Sequence, residues 1–138
     1  MSAAGPGPRF FMDRGLGSIH VPDGLRAAGW QVVTMDERYG PRRSQGVSDV
    51  DWIRDASQRG ECLLTKDAAV ASRPAEAEAI YMNDSRVFAL ARANVIGPTM
   101  LMWFLANERA IHRMTRAKPP FVMAVGPDRL RRKRLAYP

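Results

Sequence analysis

Four aspartates sit where a chain can bring carboxylates together: Asp13, Asp49, Asp51 and Asp67. Asp13 closes the apolar run Arg-Phe-Phe-Met-Asp, and Asp67 closes Glu-Cys-Leu-Leu-Thr-Lys-Asp. Asp49 and Asp51 follow Ser48, a good helix cap, in what reads as a first helical turn. Gathered carboxylates repel one another, and a divalent cation relieves that cost. Oxygen-only ligands suit Mg2+ or Mn2+, and Mg2+ characteristically takes one or two carboxylates plus waters and phosphate oxygens. An ion so held activates water and stabilises the leaving oxygen of a phosphodiester displacement. Taken singly, each of these acids is more often a plain strand end or helix cap. The spaced set is what carries the reading.

No other pattern competes. There is no Gly-rich phosphate loop, no CxxC and no HExxH. His20 and His112 are far apart and read as structural or surface residues. The single cysteine, Cys62, excludes an intramolecular disulfide; it reads as a core strand residue and points to a reducing compartment.

The elements that must position these acids alternate along the chain. Strands are expected at 9–13, 31–35, 61–67, 86–90 and 121–125, each short and apolar. Helices are expected at 18–29, from Ser48 to about Gly60, at 74–83 with Pro74 at its start, and over a long stretch from Pro98 to about Ala117. Residues 36–47 read as a polar loop. Repeated strand–helix order predicts an α/β fold with a largely parallel sheet of about five strands flanked by helices. In such sheets ligands sit outside the carboxyl ends of the strands, where Asp13 and Asp67 fall.

The 138 residues suit one domain, with 46% hydrophobic residues to build its core. Residues 1–8, rich in Gly and Pro, read as a flexible lead-in, residues 9–127 as the domain and residues 128–138 as a basic tail. The net charge of +7 favours a polyanionic partner, but the tail supplies much of it, with five basic residues against Asp128 alone. The start lacks a secretory signal's apolar stretch and the longest apolar run, 100–106, is too short to span a bilayer. A soluble cytoplasmic protein without membrane contact is the expectation.

The segments that hold the acids resemble the PIN-like nuclease family, especially its compact VapC-type toxin branch. The matching stretches are Phe-Phe-Met-Asp at 10–13, Ser-Asp-Val-Asp-Trp-Ile at 48–53 and Leu-Leu-Thr-Lys-Asp at 63–67, with Arg-Gly-Glu-Cys before the last. Arg73-Pro-Ala-Glu76 and Pro119-Pro120-Phe121 add to the likeness, which spans roughly Phe10 to Val125. The resemblance implies a Rossmann-like sheet and an Mg2+- or Mn2+-dependent endoribonuclease, the toxin of a type II toxin–antitoxin pair, silenced by a cognate antitoxin protein. It implies Asp13, Asp49 and Asp67 as catalytic metal ligands and Asp51 as a close fourth. Two departures mark a non-standard member: Arg14 and Gly15 follow Asp13 where relatives often carry a second acid, and Asp84 precedes the fourth strand instead of an acid following it.

Around that set, Lys66 is a candidate for holding a phosphate. Arg73 is a candidate for the RNA backbone and Glu76 for supporting the metal ligands, although the two are also spaced to pair along a helix start. Arg42 and Arg43, with Arg38 and the interleaved Tyr39, suit single-stranded RNA; a solvated loop is the plainer reading. Met102 and Trp103, on a helix apolar all round, are candidates for a homodimer or antitoxin contact. Two rivals stand beside the ribonuclease: a nucleic-acid-binding module without catalysis, in which the acids are structural, and an inert subunit of a protein complex.

Overall fold

The computed structural model describes residues 7–138, so most of the expected lead-in, residues 1–6, lies outside the described residues. Six strands, β1 (Arg9–Met12), β2 (Gln31–Thr34), β3 (Cys62–Thr65), β4 (Arg86–Leu90), β5 (Phe121–Val125) and β6 (Leu130–Lys133), form one sheet in the order β2-β1-β3-β4-β5-β6. All neighbours are parallel except β5 and β6. The helices are α1 (His20–Ala27), α2 (Met35–Tyr39), α3 (Asp49–Gln58), α4 (Pro74–Met82), α5 (Gly97–Ala106) and α6 (Glu108–Met114).

Both faces of the sheet are covered, which is why its strands read as unbroken apolar runs. Alternate side chains of each strand enter different cores. Phe10, Met12, Leu64, Phe88, Phe121 and Met123 pack with residues of α1, α5 and α6. Phe11, Leu63, Val87, Ala89 and Val122 pack with residues of α3 and α4. The strand order places a topological switch at β1 and β3: the chain leaves β1 for β2 on one side and returns to β3 on the other. In doubly wound sheets that switch is where a crevice opens at the carboxyl edge.

Three expectations give way to a different local structure. The long helix expected over 98–117 breaks at Asn107, which ends α5 and precedes α6. Its buried amide donates to the Trp103 and Gly126 carbonyls, both at 2.8 Å, so a side chain takes over a helical acceptor and ties the break to the turn after β5. The polar loop 36–47 holds α2 and a 3-10 turn at Arg43–Gly46. The signal was Thr34-Met-Asp-Glu37, a capping box in which Glu37 N–H donates to Thr34 Oγ1 at 3.1 Å and Thr34 N–H donates to Glu37 Oε1 at 3.0 Å. The basic segment 128–138 contributes a sixth strand, with Leu130 packed against the core and the Ala136 N–H donating to the Ala71 carbonyl.

No helix among the described residues is long and apolar enough to cross a membrane.

Candidate active site at the carboxyl edge

Asp13 and Asp67 leave adjacent strands at the switch point. Asp13 continues the ladder of β1, its N–H donating to the Leu64 carbonyl at 2.9 Å, and then caps a 3-10 turn over Arg14–Leu16. Thr65, the last residue of β3, donates its hydroxyl to Asp13 Oδ2 at 2.7 Å. Gly15 lets the turn pass close to Lys66: a Cβ there would stand a tight 3.3 Å from Lys66 Cβ. Asp67 caps the 3-10 turn over Ala68–Ala71, its Oδ1 accepting from the Ala69 N–H at 2.9 Å. Asp49 opens α3 from the other direction, and Trp52 holds it by donating Nε1–H to Oδ1 at 2.9 Å.

Arg73 spans these acids. Its guanidinium donates to Asp67 Oδ2 at 2.7 Å and to Glu76 Oε2 at 2.9 Å, and lies 3.7 Å from Asp49 Oδ2. The expected helix-start pairing of Arg73 with Glu76 is thus present, and the arginine also links two elements. Asp13 is the acid it does not reach. Burial pushes the Asp13 carboxyl above its usual range and the negative charge of Asp49 adds to the rise, while the Thr65 hydroxyl, the Gly15 N–H and the charge of Arg14 oppose it. Asp67 differs: burial pushes its carboxyl up, but Arg73 and the Ala69 N–H outweigh that and hold it below the usual value.

The site therefore sets three carboxylates, Asp49, Asp67 and Glu76, around one bridging guanidinium, with Asp13 beside Asp49 and outside its reach. Among the described residues no three His, Cys, Asp or Glu side chains come close enough together to form a metal cage. The donor set nonetheless fits a hard cation. All its donors are oxygens, the most desolvated of them, Asp13, makes no ion pair among the described residues, and Mg2+ needs only one or two protein carboxylates when water and phosphate complete the shell.

Other sequence candidates fall elsewhere. Asp51 lies two positions from Asp49, about 200° around the helix. Its carboxylate pairs with Arg54 at 3.3 Å on the exposed surface, away from the acid cluster. Lys66 lies next to Gly15 beside the cluster. Arg42 and Arg43 are exposed. Arg38 and Tyr39 are not free to meet RNA: Arg38 forms a two-pronged pair with Glu61, both bonds at 2.6 Å, over the Phe11 ring, and the Tyr39 hydroxyl donates to Asp55 at 2.8 Å. The aromatic between basic residues has its physical explanation in this packing, because Tyr39 meets Phe11 edge-on. Met102 is 62% exposed, whereas Trp103 packs partly against the core. Cys62 is buried, and burial raises its thiol to about 11. Thr65 and Trp52, which orient two of the acids, are not among the sequence candidates, although both lie inside the motif stretches 63–67 and 48–53.

A groove of about 550 Å3 opens at the opposite, amino edge, lined by Arg9, Arg26, Trp30, Arg38, Arg59 and Glu61 among others. It holds no carboxylate cluster and lies away from the switch point.

A family model described as a PIN like domain matches residues 8–92, the segment that carries all four candidate aspartates. The chain belongs to the PIN-like domain family. This PIN-like protein is also similar to VapC45 of Mycobacterium tuberculosis, an inferred ribonuclease, with 34% identity over 120 residues, 87% of each chain. No solved structure matches it significantly.

Proposed function

We propose that this PIN-like protein is a divalent-metal-dependent endoribonuclease and the toxin of a toxin–antitoxin pair, acting in the cytoplasm and held in check by a cognate antitoxin. The family and the similarity to VapC45 support the ribonuclease class. The observation that carries the site is Asp13: a desolvated carboxylate at the β1–β3 switch, raised by burial and by Asp49, with no cationic side chain paired to it.

Asp13 and Asp49 would hold Mg2+ or Mn2+, with Asp67 completing the set from β3. Bound there, the ion supplies a nucleophilic water at neutral pH and charge stabilisation for the displaced oxygen. The chain's own part is orientation. Thr65 fixes one oxygen of Asp13, Trp52 fixes one oxygen of Asp49, and the Ala69 N–H fixes one oxygen of Asp67. Each acid thus keeps its other oxygen, or a further lone pair, for a ligand. Arg73 screens Asp49 and Asp67 from each other, and Lys66 stands beside the cluster to meet a phosphate oxygen.

The test is digestion of total RNA by the purified protein with Mn2+ or Mg2+, with EDTA, and with Asp67→Asn. Cleavage abolished by EDTA and by the substitution is expected. Cleavage that persists under both contradicts a carboxylate-held metal. Tight RNA retention without any cleavage favours a binding module.

A further inference from the structure

The acid cluster occupies the β1–β3 part of the carboxyl edge; the far end of the same edge is basic. β4 leaves the sheet through Ala91 and Arg92, and β5 turns through Gly126 to Arg129 into β6. Arg92, Arg129 and Arg131 line a cavity of about 350 Å3 there, with Asp128 as its one acid. All three arginines are exposed, and among the described residues none makes a side-chain hydrogen bond or ion pair. Arg14, Arg26, Arg38, Arg73 and Arg86, by contrast, are each committed to a carbonyl or a carboxylate. Strand alternation sorts the basic residues of β6: Arg132 lies over the Phe121 ring at 5.6 Å, so Arg131 and Lys133 occupy the opposite face.

Charges on an edge strand commonly serve to prevent edge-to-edge pairing. That role does not account for Arg92, which comes from the loop after β4 and lines the same cavity. Three guanidinium groups without partners match phosphate oxygens, which they can grip in pairs. From β3 to β6 there are three strand spacings, roughly 14 Å, so one extended polyanion along the edge can meet both the acids and the arginines. We infer that Arg92, Arg129 and Arg131 form a phosphate-binding strip that holds the RNA backbone beside the acidic site. The inference rests on the ribonuclease reading for the identity of its polyanion.

The experiment measures binding of a fluorescein-labelled oligouridine of about 20 nucleotides by anisotropy, in EDTA, across a range of KCl concentrations. Each phosphate contact on a single strand contributes about 0.7 to the slope of log affinity against log salt. Changing Arg92, Arg129 and Arg131 together to Gln should lower that slope by about 2 and weaken low-salt binding by more than about 10-fold. Arg92→Gln alone, in a loop, should lower it by about 0.7, so the outcome does not hang on folding of the triple variant. Arg59, Arg116 and Lys118 changed together to Gln remove the same charge at exposed amino-edge positions and should leave the slope intact. Equal losses from both triple variants, unchanged binding in the edge variants, or no binding by the parent overturns the strip. A strip that serves a protein partner instead would give the unchanged result. If the parent binds but cleaves no RNA with Mn2+, the ribonuclease reading fails while these isotherms still decide the strip.

Discussion

Both edges of the sheet carry charge drawn partly or wholly out of water, and they treat it in opposite ways. At the amino edge Glu61 meets Arg38 in a two-pronged pair, with side chains only 3% and 10% exposed. Each charge there has its counter-charge, and the raised basicity of Arg38 comes first from that hydrogen bonding. At the carboxyl edge Asp13 is half-buried beside Asp49 with no ion pair of its own: Arg73 is committed to the other acids, and Arg14, whose charge also bears on Asp13, donates to the Ser44 and Val47 carbonyls. A closed pair serves the fold. A half-buried carboxylate left without an ion pair costs stability, and under the proposed function it is where the ligand binds.

Substitutions should separate the two edges. Glu61→Ala leaves Arg38 buried and uncompensated, and should cost about 3 kcal/mol of stability, read by urea unfolding. Any activity that survives should keep its metal dependence, since no group of the acidic site is touched. Asp13→Asn should do the reverse: RNA cleavage falls by more than about 100-fold while the unfolding temperature in EDTA rises. A fall in stability from Asp13→Asn would erase the contrast.

Thr65→Val sharpens the comparison within the site. It removes the hydroxyl that fixes Asp13 and keeps the side chain's shape, so cleavage should fall by about 10-fold and partly recover at higher Mn2+. An effect as large as that of Asp13→Asn would mean that Thr65 does more than orient its neighbour.

The smallest effect is a pH dependence. The folded protein holds the Asp13 proton more tightly than the unfolded chain does. Stability from this group is therefore fully present below the ordinary aspartate range and is lost as pH rises through the raised folded value. Asp67 has the opposite sign, because its folded value is lowered: its contribution is present above the ordinary range and lost as pH falls through the folded value. The difference between parent and Asp13→Asn unfolding in EDTA should thus widen as pH rises from the acid side. A constant difference would contradict the placement of Asp13.

The same contrast explains what could be read from the sequence. The five parallel strands were legible because both their faces are buried, which leaves unbroken apolar runs ending in Asp or a turn. Asp13 and Asp67 were legible because they close two such runs. Asp49 and Asp51 could not be told apart by type; only the helix phase sends Asp49 toward Arg73 and Asp51 toward Arg54. The break at Asn107 depends on a carbonyl nineteen residues away, Gly126, and no local pattern carries that. β6 was obscured by its own charge: three basic residues in four read as a solvated tail, although Leu130 anchors the strand to the core. Arg38 and Tyr39 looked available for RNA because their partners, Glu61 and Asp55, are distant in sequence.

Whether the unpaired carboxylate of Asp13 belongs to a divalent cation is decided by Mn2+ titration followed by electron paramagnetic resonance. The parent protein, without RNA, should take up Mn2+ with an affinity that rises with pH, and Asp13→Asn should lose that uptake. Equal binding by both proteins would contradict a cation held by Asp13.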